Sequence, residues 1–260
     1  MSRTSSAFKV QLRVIRALLM REVITRYGRH NIGFLWLFVE PMIFTLGVAT
    51  LWTLAGMHVH SAMPIIAFAI TGYSSVLLWR NMPGRCVNAI EPNRALMYHR
   101  QVRVIDIFAS RIVLELLGVT TSFAVLSLLF IGVGWMKPPA DLFKVLAAWF
   151  LLAWFGAALG LFLGAMSASS ELVEKFWHPA AYLLFPLSGA AFMVDWLPPA
   201  AQAAVLWIPM VHAVEYLRDG FFGHSVRTHY SLAYLGGTCF VLTAFALAQE
   251  RIASRRVIPE

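Results

Sequence analysis

Long apolar stretches recur along this chain at lengths that suit helices crossing a bilayer. A helix needs about 20 mostly apolar residues to cross the hydrocarbon core. Six stretches fit, and they predict transmembrane helices at about residues 32–54, 63–79, 112–136, 145–170, 176–194 and 230–249. Two of them contain one acidic residue each, Glu40 and Glu115. The pattern therefore predicts an all-α integral membrane protein with six transmembrane helices, whose membrane domain spans residues 32–250.

A further apolar stretch, from Trp196 to Val214, has a different character. It contains three prolines and is separated from the fifth predicted span by Asp195 alone. A chain cannot leave one full span and begin another within one residue, whereas proline-broken backbone is tolerated at membrane depth when it packs against protein. We therefore expect residues 195–229 to form a re-entrant or broken helical hairpin on the periplasmic side, before the last span.

Basic residues are distributed unevenly between the two sides of the membrane. Sixteen Lys and Arg residues fall on the side that holds both termini, and four fall on the other side, namely Lys137, Lys144, Arg218 and Arg227. Cytoplasmic segments of membrane proteins carry an excess of Lys and Arg. This predicts a multi-pass inner-membrane protein with both termini in the cytoplasm. It also explains the net charge of +8, because the basic residues act as topology signals. No nucleic-acid partner is needed to account for them.

Three segments are expected to lie in the cytoplasm. Residues 1–31 contain a long stretch without Pro or Gly and with Arg around much of its circumference, which predicts an interfacial helix along the lipid headgroups. Residues 80–103 are polar, basic and interrupted by prolines, so they fit one or two short helices or a solvated connector. Residues 251–260 form a basic tail.

Ionisable groups inside a membrane are costly and are usually paired or functional. Arg111 and Glu115 are four residues apart, so they can pair along one helix face as a structural pair. Glu40 stands directly before Pro41, where the proline disfavours helical geometry at the preceding residue. This predicts a kink with a carboxylate that lines a path or acts as a hinge; the alternative is a protonated or paired glutamate that only packs.

The sequence lacks the motifs of an enzyme. A phosphate loop requires a lysine after a glycine, and each of the four lysines, Lys9, Lys137, Lys144 and Lys175, follows another residue. The isolated Cys86 and Cys239 predict neither a disulfide framework nor a zinc site. We therefore predict that the chain is not an enzyme, binds no metal and no cofactor, and does not hydrolyse ATP by this route.

One motif is more specific. The run from Arg26 to Trp36, continuing to Glu40 and Pro41, has an Arg-Tyr pair, then Gly-Phe-Leu-Trp, then a proline. It resembles the start of the first span in type-2 ABC exporter permeases. The glutamate before the proline resembles the capsular polysaccharide export branch of that superfamily, the KpsM-like inner-membrane proteins. The resemblance in layout covers nearly the whole chain, and its specific part is residues 26–41.

The resemblance implies a function and partners. It implies the permease subunit of an exporter that moves lipid-linked, usually acidic capsular polysaccharide across the bacterial inner membrane, as a homodimer with two copies of a separate ATPase that binds ATP and Mg. It also implies periplasmic co-polymerase-type and outer-membrane export partners. The residues it assigns are Glu91, Asn93 and Arg94 in an ATPase-coupling loop, and Arg29, Trp36 and Glu40 near the channel entrance.

Three alternatives stay open from the sequence. A permease for O-antigen, or for another polysaccharide or glycolipid, would have the same fold and energy source. A secondary transporter would be expected to contain repeated halves and a polar site at the midplane, and no convincing internal repeat is visible. A membrane-bound transferase would need convergent acidic or His groups on one helix face, and these are missing.

Overall fold

The computed structural model describes residues 2–27, 31–55, 63–97 and 102–257, and helices dominate all four segments. The α-helices in chain order are α1 (Ser2–Tyr27), α2 (Asn31–Leu54), α3 (Ile65–Cys86), α4 (Arg94–Met97), α5 (Val104–Gly132), α6 (Leu142–Ser167), α7 (Glu171–Leu187), α8 (Pro199–Val205), α9 (Pro209–Phe222) and α10 (Leu232–Val257). Short 3-10 turns occur at Glu91–Asn93, Val194–Trp196 and Gly223–Ser225. The described segments contain no β-strand, which confirms the all-helical prediction.

Four helices are long and apolar enough to cross a membrane, at Leu35–Leu54, Val104–Gly132, Leu142–Ser167 and Leu232–Arg256. They correspond to the first, third, fourth and sixth predicted spans. α3 is 22 residues long but carries several polar side chains, and α7 has 17 residues. A crossing by each of these two helices, and hence a total of six, stays a prediction.

The helices that flank the predicted cytoplasmic loop are longer than their apolar stretches. α3 continues seven residues beyond 79 to Cys86, and α5 begins at Val104 instead of 112. Their charged end turns remain helical because the charges find partners on neighbouring helices, as described below. The connection between α3 and α5 is therefore residues 87–103, and its 3-10 turn leads directly into α4.

The fifth predicted span, 176–194, differs in position from α7. The helix begins at Glu171, directly after the extended Ser170. Acidic residues in a first turn interact favourably with the helix dipole, and Glu171 and Glu174 both lie there. Gly189, with φ +81°, follows the helix end, where a left-handed residue commonly stops a helix. Hydropathy does not register these end signals, which is why the helix begins before the apolar stretch; the span at 176–194 stays a prediction.

Glycines four residues apart line the face of α6 that packs on α3. They are Gly156, Gly160 and Gly164, and a Cβ atom at Gly164 would lie 2.6 Å from the Phe108 ring and 2.9 Å from Cys86 Cβ. Small residues let helix backbones approach closely in membrane proteins. α3 and α6 thus form the centre of the bundle, with α2 and α5 packed on α3, α10 on α6, and α9 on both.

α1 and α2 pack on the outside of α5. Leu37 of α2 is buried against Leu114, and its side chain and carbonyl oxygen lie where a Cβ at Gly118 would meet them, at 3.0 Å. α1 contributes Leu18 and Val23 to the same region of the bundle. α1 is therefore bound to the transmembrane bundle by apolar contacts, and its position in the lipid interface stays a prediction.

The broken region predicted before the last span is present as two helices. The axes of Pro199–Val205 and Pro209–Ser225 are bent by 107° at the short break between them. Each helix begins with a proline, where the missing N–H costs no intrahelical hydrogen bond. The re-entrant course of this region through the membrane stays a prediction.

Arg218 holds the turn after α7 against α9. The sequence placed this residue among the charges of an outer loop, but its side chain is 0% exposed. The guanidinium donates to the carbonyl oxygens of Gly189, Ala190 and Phe192, each at 2.6 Å. A buried charge needs partners, and these carbonyls supply them.

Glu215 lies one helical turn before Arg218, and its side chain also joins α9 to neighbouring segments. Its carboxylate accepts hydrogen bonds from the backbone N–H groups of Val194 at 3.1 Å and His229 at 3.0 Å. These two segments lie before α8 and after α9, so one side chain joins both ends of the broken region. Together Glu215 and Arg218 fix this region as a rigid cap on one end of the bundle.

Candidate functional site

A cleft of about 590 Å³ opens at the end of the bundle where α3 and α6 finish. One wall is the connection after α3, and the other is the junction between α6 and α7. The residues that line it are Asn88, Ile90, Glu91, Pro92 and Arg94 on the first wall and 167–171 with Glu174 on the second. Two of the predicted coupling residues therefore lie in one concave surface.

Glu91 and Arg94 face solvent in this cleft. The Glu91 carboxylate and the Arg94 guanidinium are 3.5 Å apart, and both side chains are more than half exposed. An exposed pair of this kind contributes little to stability. These two side chains are thus available for an intermolecular contact.

Asn93 is the third residue that the resemblance assigns to the coupling loop, and this role stays a prediction. Its side chain is buried; the amide oxygen accepts a hydrogen bond from the Arg21 guanidinium, and the amide nitrogen donates to Ala89 O at 2.8 Å. Asn93 therefore ties the cleft wall to α1 through a direct hydrogen bond.

Charged residues behind the cleft connect three helices. Glu115 of α5 pairs with Arg85 of α3 at 3.2 Å, and Arg111 of α5 pairs with Glu22 of α1 at 3.4 Å. Arg111 also donates to the Arg85 carbonyl oxygen at 2.6 Å. The contacts of Arg111 and Glu115 thus run between helices, and a direct pair between these two along one face stays a prediction.

A second link joins α1 to the start of α5. Asp106 accepts hydrogen bonds from the backbone N–H of Arg103 at 2.9 Å and from the Gln11 side chain. Asp106 thus caps the helix that follows the connection and binds α1 at the same time. α1 thus contacts the connection at Asn93 and the start of α5 at Asp106.

The predicted entrance residues are distributed as follows. Arg29 lies outside the described residues. Trp36 and Glu40 are one turn apart on α2, so they share a helix face; Trp36 is 50% exposed and Glu40 is partly buried. Leu37, one residue after Trp36, packs on the bundle. Half of the Trp36 side chain is exposed, so part of this ring faces away from the rest of this subunit.

Sequence reasoning missed the second wall of the cleft and the partners of the charged pair. Glu171 and Glu174 form an isolated Glu-x-x-Glu in the sequence, and their proximity to Glu91 depends on the folding back of α7. Among the described residues, no group of three or more His, Cys, Asp or Glu side chains could hold a metal ion.

These features define a multi-pass helical membrane protein with an open cleft at one end of the bundle. Residues 13–222 match the ABC-2 type transporter family, and the chain belongs to this family. It is 44% identical over 251 residues to the capsule polysaccharide export inner-membrane protein CtrC of Neisseria meningitidis serogroup B, covering 96% of this chain and 95% of that protein.

Two further relatives share nearly the full length. The capsule polysaccharide export inner-membrane protein BexB of Haemophilus influenzae is 41% identical over 251 residues, with 96% of this chain and 95% of that protein covered. The polysialic acid transport protein KpsM of Escherichia coli is 28% identical over 252 residues, with 95% of each covered. The sequence-based assignment to the type-2 ABC permeases and to their capsule-export branch is thereby confirmed.

Proposed function

We propose that this chain is the permease subunit of an ATP-driven exporter that moves lipid-linked capsular polysaccharide across the bacterial inner membrane. The observation that carries the proposal is the 44% identity over nearly the full length to a protein named for capsule polysaccharide export. The more distant relative is named for transport of polysialic acid, an acidic polysaccharide. These names favour capsule over O-antigen as the cargo.

The energy for export comes from a separate ATPase, which binds ATP and Mg in its own chain. The cleft supports this proposal because it offers exposed, oppositely charged side chains, Glu91 and Arg94, on a wall tied to α1 through Asn93. A partner that pushes on this wall moves α1 and the ends of α3 and α5 with it, since hydrogen bonds and ion pairs connect them. Two ATPase copies serve two permease subunits.

The working unit is a homodimer with both termini in the cytoplasm. Two helices support the homodimer, because each leaves an apolar face uncovered. α2 exposes Leu35, Ile43 and Phe44, and α7 exposes Phe176 and Leu183. Faces of this kind contact lipid or a second subunit. The channel entrance contains Arg29, Trp36 and Glu40, and cargo leaves to periplasmic and outer-membrane export proteins.

A complementation experiment tests the proposal. The chain is expressed in an encapsulated strain that lacks its own export permease, and surface capsule is measured with a capsule-specific antibody. We expect surface capsule to return, and to return only in cells that also contain the partner ATPase. Intracellular accumulation of polysaccharide despite normal amounts of chain and ATPase in the membrane would contradict the proposal.

A further inference from the structure

A second, smaller pocket lies apart from the cleft and from the entrance residues on α2. Its volume is about 220 Å³, and it lies between the last turns of α3 and the middle of α7. The residues that line it are Arg80, Asn81, Gly84, Arg85, Trp177, His178, Ala181 and Tyr182. This lining contains two guanidinium groups, an amide, an imidazole and two aromatic rings, and none of its members is acidic.

The two arginines of this pocket differ in how their charges are balanced. Arg85 pairs with Glu115 at 3.2 Å. Arg80 is partly buried, and its contact is with the face of the Tyr182 ring, whose centroid is 6.0 Å from the guanidinium carbon. Within the described part of the chain, no carboxylate forms an ion pair with Arg80. A partly buried cation without a counter-ion on a membrane helix is costly, so the pocket favours an anion.

Trp177 contributes a second donor to the pocket. Its side chain is only 6% exposed, and it lines the pocket. The indole nitrogen faces Gly84 across the pocket, since a Cβ atom at Gly84 would lie 3.6 Å from Nε1. The indole N–H can therefore donate a hydrogen bond to an oxygen atom of a ligand in this pocket.

The opposite side of the pocket is open. Tyr182 is 70% exposed, so the ring that contacts Arg80 also presents apolar surface outward. Aromatic rings combine an apolar face with a polar tip and can pack against the C–H face of a sugar ring. A cation, an indole donor and an exposed aromatic ring within one small pocket thus match an acidic sugar better than they match a purely apolar chain.

We propose that this pocket binds the acidic group of the exported glycan, with the oxyanion on Arg80 and the Trp177 N–H and the adjoining sugar ring on Tyr182. The ligand chemistry is a carboxylate or phosphate oxyanion next to a carbohydrate. The proposal rests on the proposed function, because it places that exporter's cargo at α3 and α7. It makes this pocket a recognition site for acidic cargo, separate from the predicted entrance on α2.

Binding to the complete permease–ATPase complex in zwitterionic lipid nanodiscs tests the pocket. The first probe is a fluorescently labelled uronic-acid oligosaccharide, and the second is dihexanoyl phosphatidylglycerol, which presents a lipid phosphate. Arg80→Gln should weaken oligosaccharide binding about tenfold, since hydrogen bonds to charged groups are worth roughly 1.5–3 kcal/mol. Trp177→Phe should weaken it less, and Arg80→Lys should retain part of the affinity.

The matched control is Arg227→Gln, which removes one exposed charge far from the pocket in sequence and outside its lining. It should leave binding unchanged. Equal affinity of the wild type and Arg80→Gln for the oligosaccharide would overturn the proposal. Binding of phosphatidylglycerol alone would also overturn it, in favour of a lipid-headgroup site.

Export in cells separates this proposal from the proposed function. In the permease-deficient strain, wild type and Arg227→Gln should restore surface capsule, and Arg80→Gln should restore less at equal membrane abundance and equal co-purification of the ATPase. Full restoration by Arg80→Gln would refute the pocket and leave the exporter function intact. Failure of the wild type itself would instead count against the exporter function.

Discussion

The guanidinium carbon of Arg218 lies 3.8 Å from the centroid of the Phe68 ring. The Phe68 ring thus covers one face of the buried guanidinium. The N–H groups of the same guanidinium donate hydrogen bonds to three carbonyl oxygens of the turn after α7. Arg218 is thus the point where α3, α9 and that turn meet. The cap on this end of the bundle therefore depends on this side chain together with Glu215.

Substitution of Arg218 should therefore destabilise the protein strongly. Arg218→Gln keeps a polar group but cannot reach three carbonyls or cover the Phe68 ring, and breaking a buried charged contact costs about 3–5 kcal/mol. We expect a clear fall in the midpoint of thermal unfolding in detergent, measured by fluorescence-detected size exclusion. Arg227→Gln is the control and should change stability by no more than about 0.5 kcal/mol.

Gly72 allows this close packing. A Cβ at Gly72 would lie 2.3 Å from Ala190 O and 2.7 Å from Arg218 Nη2, and neither atom can move without loss of their mutual hydrogen bond. Gly72→Ala should destabilise by about 1–3 kcal/mol, as overpacking does. Gly47→Ala, where the added methyl meets open space, is the matched control and should be neutral or stabilising. Equal stability of the two variants would show that the turn does not lie against α3.

A double-mutant cycle tests the partners of Arg111. Stability is measured for Glu22→Gln, Arg111→Gln and the double variant, and in parallel for Glu115→Gln with Arg111→Gln. Residues in one ionic network couple by about 0.5–3 kcal/mol. We expect the larger coupling with Glu22, because that carboxylate is 3.4 Å from Arg111. A larger coupling with Glu115 would favour pairing along one face of α5.

Cysteine labelling tests the orientation of the chain in the inner membrane. Cys86 and Cys239 are both buried, so a membrane-impermeant maleimide reports on introduced cysteines. Lys137→Cys, at an exposed position in the connection between α5 and α6, should be labelled in cells with a permeabilised outer membrane. Glu91→Cys should be labelled only after the inner membrane is opened. The reverse pattern would place the cleft in the periplasm and exclude a cytoplasmic ATPase.

The sequence predicted the elements whose signals are local. α2 begins and ends within one residue of its predicted bounds, because polar residues before the span and Gly56, His58 and His60 after it delimit one apolar run in the sequence. The proline-broken region was also predicted, since Pro199 and Pro209 begin its two helices. In both cases the chemistry of single residues determines where a helix begins.

Long-range contacts could not be predicted in the same way. Arg218 was assigned to an outer loop because its charge is visible in the sequence, whereas its carbonyl partners belong to a turn that lies 26 to 29 residues earlier. Asn93 has the side chain of an exposed loop residue, yet it is bound by Arg21 of α1, 72 residues away. Hydropathy and helical spacing describe neighbours in sequence, and both contacts depend on the tertiary packing of helices.

The proposed exporter requires a separate ATPase to dock in the cleft lined by Glu91 and Arg94. The rate of maleimide labelling of Glu91→Cys in inverted membrane vesicles, with and without the co-expressed ATPase, measures this docking. Lys175→Cys, an exposed position on α7 outside the cleft lining, serves as the control. We predict that the ATPase slows labelling at position 91 and not at position 175. Equal labelling rates at position 91, in vesicles where the ATPase is bound, would contradict the account.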